Sequence, residues 1–345
     1  MSTDRRPSPE FTDTHVRLAH GAGGPAMRGL IDAVFLASTR DPAALARGDA
    51  ACIPWGNGFL VITTDAHVVS PPEFPGGDIG RLSICGVVND LAMAGACEVT
   101  ALTSCVVLEE GFPMQTLRRL HASVEAACAE AGAVVVAGDT KVMRKGELDG
   151  VIFSTTGVAF APRVVRDDGL LPGDAILVTG TIGDHGLTVL SARHGLGLHG
   201  ELRSDVAPLN GLIRAALQAG GADIHAMKDP TRGGVTGALT EMAEKAHVSI
   251  RLVEADLPMS PAARAAAELL GVDPLVVANE GKALLGVAPA AVPAVLAALR
   301  AHPLGRQAAV IGRVHADPDA GLTLDTGFGT RRLHSRDADP LPRIC

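Results

Sequence analysis

Tyrosine is absent from this 345-residue chain, tryptophan occurs once and phenylalanine eight times. So few rings leave little to stack unpaired bases on, and the cores have to be built from Ala, Val, Leu and Ile. The net charge of −8 has the wrong sign for a binder of nucleic-acid phosphates, so no nucleic-acid partner is expected. No apolar run approaches the roughly 20 residues of a helical membrane span, and no membrane association is expected. Residues 1–10 hold Arg5-Arg6 with no apolar stretch after them, which argues against an export signal. The first dozen residues read as a polar, disordered lead-in, and a cytoplasmic chain is the default expectation.

Two common chemical frameworks are also missing. The six cysteines include no C-x-x-C pair, which leaves zinc ribbons and thioredoxin-type redox pairs unsupported. Cys52, Cys85, Cys97, Cys105 and Cys128 sit among apolar or small residues and read as buried, inert thiols. Cys345 stands apart as the last residue of the chain. No G-x-x-x-x-G-K-[ST] phosphate loop occurs, since Gly281-Lys282 is followed by Ala283. The lone G-x-G-x-x-G at Gly195, Gly197 and Gly200 follows a helical pattern rather than a strand and reads as a loop.

The chain does have length enough for two domains, an ordinary 47% of hydrophobic residues, 40 glycines and 22 prolines. Strand-like runs at 59–64, 133–137, 150–156 and 175–179 alternate with helical patterns, so the fold is α/β. The spacing of Leu117, Leu120, Val124, Cys128 and Ala131 predicts a helix over 115–131 that stops at Gly132. Further helices are expected from the turn at 180–186 to Arg193, over Val235, Leu239, Met242 and Ala246, and over 289–301. Residues 161–174 read as a crossover with a domain join near 165. From Gly329 the chain turns polar and is expected to leave the core. The organisation is a lead-in at 1–15, an N-terminal domain at 16–162, a C-terminal α/β domain at 163–328 and a tail at 329–345.

Five aspartates lie among glycine or small residues, mostly just after strand-like runs: Asp49, Asp65, Asp90, Asp139 and Asp229. Carboxylates of this kind can hold magnesium together with substrate phosphates; each alone is more often a turn or helix-cap residue, and it is the five together that favour the metal. Lysines are few: Lys141, Lys145, Lys228, Lys245 and Lys282. Lys141, Lys228 and Lys282 lie in acid-plus-glycine segments; Lys141, beside Asp139 and Thr140, is the strongest candidate for neutralising phosphate. Lys145 and Lys245 read as surface residues. Two loops have the form of anion cradles at helix starts: His20-Gly21-Ala22-Gly23-Gly24 and Thr231-Arg232-Gly233-Gly234. Either also serves as a plain helix cap. His185 is a candidate acid or base, with a structural role equally open.

The strings are specific enough to carry a resemblance. Residues 20–24, 64–69, 75–80, 88–93, 138–142, 182–186, 229–234, 279–281 and the terminal Pro342-Arg343-Ile344-Cys345 resemble the HypE family of hydrogenase maturation factors. That family sits within the aminoimidazole-ribonucleotide-synthetase-like ATP-binding proteins. The resemblance runs from residue 20 to the end and implies a two-domain fold of that type with a flexible C-terminal tail. It further implies ATP and Mg2+ as cofactors and an ATP-dependent dehydration of a carbamoyl group on Cys345 to a thiocyanate. The implied partners are the carbamoyltransferase HypF, the HypC–HypD complex and a second copy in a homodimer paired through the N-terminal halves.

The resemblance also distributes roles. Gly21, Gly23, Gly24, Asp65, Asp139, Thr140, Lys141, Thr231, Arg232 and Gly233 would bind nucleotide, and Asp49, Asp90 and Asp229 would hold metal. Cys345 would carry the group and Lys141 would stabilise developing charge. Glu280, His185 and His20 are unranked candidates for the base. The sixteen residues of 330–345, extended at about 3.3 Å each, reach on the order of 50 Å. Two other readings stay open: a small-molecule synthetase or kinase making selenophosphate or an aminoimidazole ribotide, and a non-catalytic nucleotide-binding scaffold.

Overall fold

The computed structural model describes residues 13–21, 23–39, 41, 45, 48–196, 202–334 and 343–344. The lead-in up to residue 12, Gly197, Gly200 and Cys345 therefore lie outside the described residues. Helix α1 (Pro25–Leu30) is short and runs into a single π turn at Ile31–Phe35. The helical spacing of Met27, Leu30, Ile31 and Val34 makes no core stripe, because no residue of either element is fully buried. Met27 and Ile31 instead form part of a cavity wall.

The N-terminal sheet has five strands in the order β1-β2-β7-β5-β6. They are β1 (Ala51–Trp55), β2 (Gly58–His67), β5 (Val99–Glu109), β6 (Val135–Met143) and β7 (Val151–Ala161). A small ribbon, β3 (Glu73–Phe74) with β4 (Gly77–Asp78), leads into helix α2 (Ile79–Met93). Helix α3 (Met114–Ala131) connects β5 to β6, the parallel pair of this sheet. It starts one residue before the expected position and ends at Gly132 in the left-handed conformation, as its sequence predicts.

Helix α2 explains why the aspartate pattern misleads. Asp78 caps it by accepting from the Arg81 N–H, and every residue of the helix except Arg81 and Asp90 is buried. A helix apolar on all sides belongs in the middle of a protein. One side of α2 packs on β2, β7 and α3, while Ala92 and Met93 enter the core of the second domain. With no exposed side to impose a 3.6-residue period, its apolar run is not marked as a helix in the sequence. Asp90 accordingly lies on a helix, and Asp65 and Asp139 lie within β2 and β6 rather than after them.

Residues 162–174 form no helix or strand. Beyond them seven strands make a mixed sheet in the order β14-β13-β10-β12-β8-β11-β9. These are β8 (Ala175–Val178), β9 (Ile224–Lys228), β10 (Ser249–Val253), β11 (Leu284–Val287), β12 (Ala309–His315), β13 (Leu322–Asp325) and β14 (Thr330–Arg332). The helices are α4 (Asp184–Arg193), α5 (Asn210–Gly220), α6 (Gly234–Ala246), α7 (Pro261–Leu270) and α8 (Val292–Ala301). Val235, Leu239 and Met242 of α6 build one core with the sheet, whereas α5 and α8 join Met93 in another. Helices α4 and α7 contribute Leu187 and Ala263 to the core that also holds Leu82 of α2.

The expected departure from the core at Gly329 comes later. Thr330–Arg332 pairs with β13, and Leu333 is buried with its N–H on the Leu322 carbonyl. The polar Thr330, Arg331 and Arg332 occupy an edge strand, where exposed side chains are the rule. Among the described residues no helix is long and apolar enough to cross a membrane.

Candidate functional site

A cavity of about 570 Å³ opens between the two sheets, walled by β2 and α2 on one side and by the end of β9 and the start of α6 on the other. Thr63, Asp65 and His67 alternate along β2 and share one face of the sheet. Gly86 faces them from α2, where a Cβ would lie 2.6 Å from the His67 Nε2. Asp90, one helical turn beyond Gly86, falls on the same face. The Thr63 hydroxyl lies 2.8 Å from Asp90 Oδ2 and 3.0 Å from the Asp49 carbonyl oxygen, joining the segment before β1 to α2.

Asp49, Asp65, Asp90, Asp229 and Glu280 all line this cavity. Burial, then the nearby Asp65, Asp229 and Asp49, push the Asp90 carboxyl well above the usual range. Burial and Asp49 lift Asp229 to about 8. Burial and Asp229 also raise Glu280 strongly, and its Oε1 has no hydrogen-bond partner among the described residues. Neighbouring acids excluded from water cannot all ionise unless a cation joins them.

The cations present are themselves engaged. Lys228 is ion-paired with Asp49 and lies 3.7 Å from both Asp167 and Glu241. Burial works to lower its pKa, but Asp49, Glu241 and Asp167 outweigh that and hold it well above the ordinary lysine value. Lys245 lies 2.7 Å from Asp167 and 2.7 Å from Glu241. It is a member of this part-buried network rather than the surface residue its sequence suggests. Among the described residues no three His, Cys, Asp or Glu side chains converge closely enough to hold a metal ion.

Two buried amides fix the loops around the site, and one of them, Asn89, joins its two halves. Asn89 Nδ2 donates to the carbonyls of Ala207 and Glu280, both at 3.2 Å, while its Oδ1 accepts from the Leu209 N–H at 2.7 Å. Asn279 Nδ2 donates to the Pro230 carbonyl at 3.2 Å, and its Oδ1 accepts from the Gly183 N–H at 2.7 Å. Asp205 accepts from the Glu280 N–H at 3.0 Å and from Lys282 Nζ at 3.1 Å. The loop carrying Glu280 passes so close to Asp205 that a Cβ at Gly281 would sit 1.8 Å from the Asp205 carbonyl oxygen. Asn89, Asp205, Asn279, Lys228, Thr63 and His67 are therefore part of the site's framework. Of these the sequence singled out Lys228 in its acid-plus-glycine segment, and it marked Asn89 and Asn279 through their neighbours Asp90 and Glu280.

The structure sorts the other candidates. Thr231 and Arg232 line the cavity, with Gly233 left-handed at the start of α6. Gly23, also left-handed, packs within 3 Å of Arg232 by its hypothetical Cβ and lines the same cavity. Gly24 begins α1 and Gly21 is exposed; neither is among the cavity's lining residues. His20 is buried in a local turn, its Nε2 2.9 Å from Asp13 and its Nδ1 accepting from the Arg17 N–H. That engagement removes it from the cavity wall and counts against its role as the base.

Asp139, Thr140 and Lys141 are not brought to the cavity within one chain. They stand exposed on the edge strand β6, where Lys141 lies 2.7 Å from Asp139. The hydrogen bond between them lowers the Asp139 pKa and raises that of Lys141. Of the five described cysteines, Cys85, Cys97 and Cys128 are buried, while Cys52 and Cys105 are half-buried. Burial pushes the Cys97 thiol to about 11 and Cys85 higher still, which suits unreactive packing groups.

The end of the chain returns to this region. His185 is fully buried on α4, and its Nε2 lies 2.9 Å from the carbonyl oxygen of Ile344. The Arg343 carbonyl accepts from Arg193 Nη2 at 2.7 Å and from the Ser70 N–H at 3.2 Å. The Arg343 guanidinium pairs with Asp149, and the Ile344 side chain is 3% exposed within the core that holds α2.

Comparison with known proteins agrees with this architecture. The AIR synthase related protein N-terminal domain matches residues 47–161, and the corresponding C-terminal domain matches residues 172–325. The carbamoyl dehydratase HypE of Rhizobium leguminosarum bv. viciae is 45% identical over 339 residues, covering 97% of each chain. HypE from a crystallised HypE-HypF complex superposes with a TM-score of 0.83 at 39% identity, over 89% of this chain and 99% of that one. A HypE crystallised with ATP gives a TM-score of 0.80 at 38% identity, over 96% of this chain and 100% of the other. With two α/β domains of this type and near-complete coverage at such identity, the chain belongs to the HypE carbamoyl dehydratases, within the AIR synthase related proteins.

Proposed function

We propose that this chain uses ATP to dehydrate an S-carbamoyl group on its own Cys345 to a thiocyanate, whose cyanide is destined for the iron of a [NiFe]-hydrogenase. The observation that carries this reading is the seating of Arg343 and Ile344 on Arg193 and His185, with Ile344 packed in the core that holds α2, a wall of the carboxylate cavity. The residue that follows them is the candidate thiol. HypF would deliver the carbamoyl group and a HypC–HypD complex would take the cyanide, with the work done in the cytoplasm.

The chemistry balances as two steps. The carbamoyl oxygen attacks the γ-phosphoryl of ATP, ADP leaves, and one N–H proton is lost to give an O-phosphorylated imidate. The C–O bond then breaks, phosphate departs with the former carbamoyl oxygen, and loss of the second N–H proton leaves S–C≡N. Glu280 is the best placed base. Its carboxyl lines the cavity, and its Oε1 has no hydrogen-bond partner among the described residues, so it can meet a substrate N–H. Exclusion of water protects the phosphorylated group from hydrolysis.

The surplus of buried acid fits a divalent cation with its nucleotide. Asp49, Asp90 and Asp229 would hold magnesium, with triphosphate oxygens completing a shell that the protein alone does not close. When bound, that ion supplies charge neutralisation for phosphoryl transfer. Thr231, Arg232, Gly233, Gly23 and Asp65 would meet the nucleotide. A homodimer would pair through the β6 side, where Val134, Val136 and Val142 are each more than 60% exposed. Such pairing is how Asp139, Thr140 and Lys141 of one copy would come to act at a cavity.

The test is ADP release measured with and without carbamoylated Cys345. Release that depends on the modified thiol supports the reading; equal release from unmodified protein or from Cys345→Ala contradicts it.

A further inference from the structure

His185 is the group in this region whose role the proposed reaction leaves unassigned. Its hydrogen bonds have a fixed direction. The Val206 N–H donates to Ser204 Oγ at 3.1 Å, and Ser204 Oγ lies 2.8 Å from His185 Nδ1. The Ile344 carbonyl can only accept, so Nε2 carries the ring proton and donates it there. In the neutral ring Nδ1 is then the bare nitrogen, and the Ser204 hydroxyl donates to it. Burial lowers the pKa of this imidazole, favouring the neutral ring that this pattern requires. The edge of Phe74 fixes the ring plane, with centroids 5.4 Å apart at 84°.

A neutral ring with its bare nitrogen occupied by Ser204 has no lone pair for a substrate proton. The rest of the seat has the same character. Arg193 and the Ser70 N–H hold the Arg343 carbonyl, and Arg193 Nε is itself held by the Ser70 carbonyl at 3.0 Å. These groups read the backbone of the two residues before Cys345, and the Ile344 side chain fills a buried position. Ser204 also adjoins Asp205, which holds the Glu280 N–H. The seat and the candidate base are thus built on one segment.

We infer that His185 is a positioning residue which, with Ser204 and Arg193, clamps the peptide carbonyls of Ile344 and Arg343 and so presents the terminal cysteine to the cavity. Its significance for catalysis rests on the dehydration reading, whereas the clamp itself does not. Because its contacts are to backbone carbonyls, the clamp serves the free, carbamoylated and cyanated forms of the tail alike.

The test uses full-length protein and two readouts. The first is the rate at which iodoacetamide alkylates Cys345 in unmodified protein, followed by mass spectrometry of the C-terminal peptide. The second is single-turnover conversion of the carbamoylated protein with ATP. His185→Ala and Ile344→Ala should each raise alkylation and slow conversion by about tenfold, the scale of one lost buried hydrogen bond or packing contact. His185→Gln, whose amide can donate to Ile344 and accept from Ser204, should stay within about threefold of the parent in both. Ile344→Ala lies at the chain end and decides the question if His185→Ala does not fold. Unchanged alkylation in Ile344→Ala, or a His185→Gln that is as inactive as His185→Ala with its thiol still protected, overturns the proposal. Failure of the parent protein to convert the group would sink the dehydration reading, and the alkylation comparison would still decide whether the clamp exists.

Discussion

Asn89 of α2 donates from Nδ2 to the Glu280 carbonyl at 3.2 Å while its Oδ1 accepts from the Leu209 N–H at 2.7 Å. One side chain of the N-terminal domain thereby fixes two loops of the C-terminal domain. Asn89→Ala should strand buried donors and acceptors and cost about 3 kcal/mol. Denaturant unfolding should show this loss, and dehydration should slow because Glu280 is no longer held in place.

Gly281 is required for space rather than for flexibility. A methyl there would meet the Asp205 carbonyl oxygen at 1.8 Å, with backbone on both sides of the contact. Gly281→Ala should destabilise by at least about 1–3 kcal/mol, whereas Gly329→Ala, with nothing within 4 Å, should be close to neutral. Similar melting temperatures for the two variants would contradict the packing described.

Glu280→Gln keeps the shape of the side chain and removes its capacity to take a proton. Conversion of carbamoyl to thiocyanate should fall by about 10²–10⁴-fold, with nucleotide affinity by calorimetry changing only a few-fold. A variant that converts at the parent rate would move the base elsewhere.

His67 gives a pH signature to the ligand-free protein. Burial, against the opposing charge of Asp65, lowers its pKa from 6.5 to about 4. An unfolded chain protonates this histidine below pH 6.5 while the folded one resists. Its contribution is therefore intact above about 6.5 and is lost as pH falls toward 4, by a few kcal/mol. His67→Gln should flatten the stability profile in that window, as followed by chemical unfolding at a series of pH values.

Much of the fold is legible in sequence because most elements have one dry face and one wet one. The α3 stripe through Leu120, Val124 and Cys128 ends at Gly132 as expected, and α6 buries Val235, Leu239 and Met242. The exceptions have physical causes. Helix α2 is buried all round and presents no period, so Asp90 reads as a turn residue. The stripe at Met27 and Ile31 borders an open cavity instead of a core. In the site, acids beside glycines are visible in sequence, but the amide clamps of Asn89 and Asn279 and the Lys228–Asp49 pair join residues far apart in the chain. No local pattern encodes such contacts. Lys141 is the opposite case, conspicuous in sequence yet exposed on β6 in the single chain.

The central claim is that Cys345 carries a group which ATP dehydrates, and mass spectrometry of the C-terminal peptide tests it most directly. The protein is carbamoylated by the partner transferase and sampled before and after ATP is added. The peptide ending in Cys345 should gain a carbamoyl group and then lose one water when ATP is present, and Cys345→Ala should do neither. A carbamoyl adduct on Cys345→Ala, or an adduct on Cys345 that ATP leaves unchanged, would contradict the account.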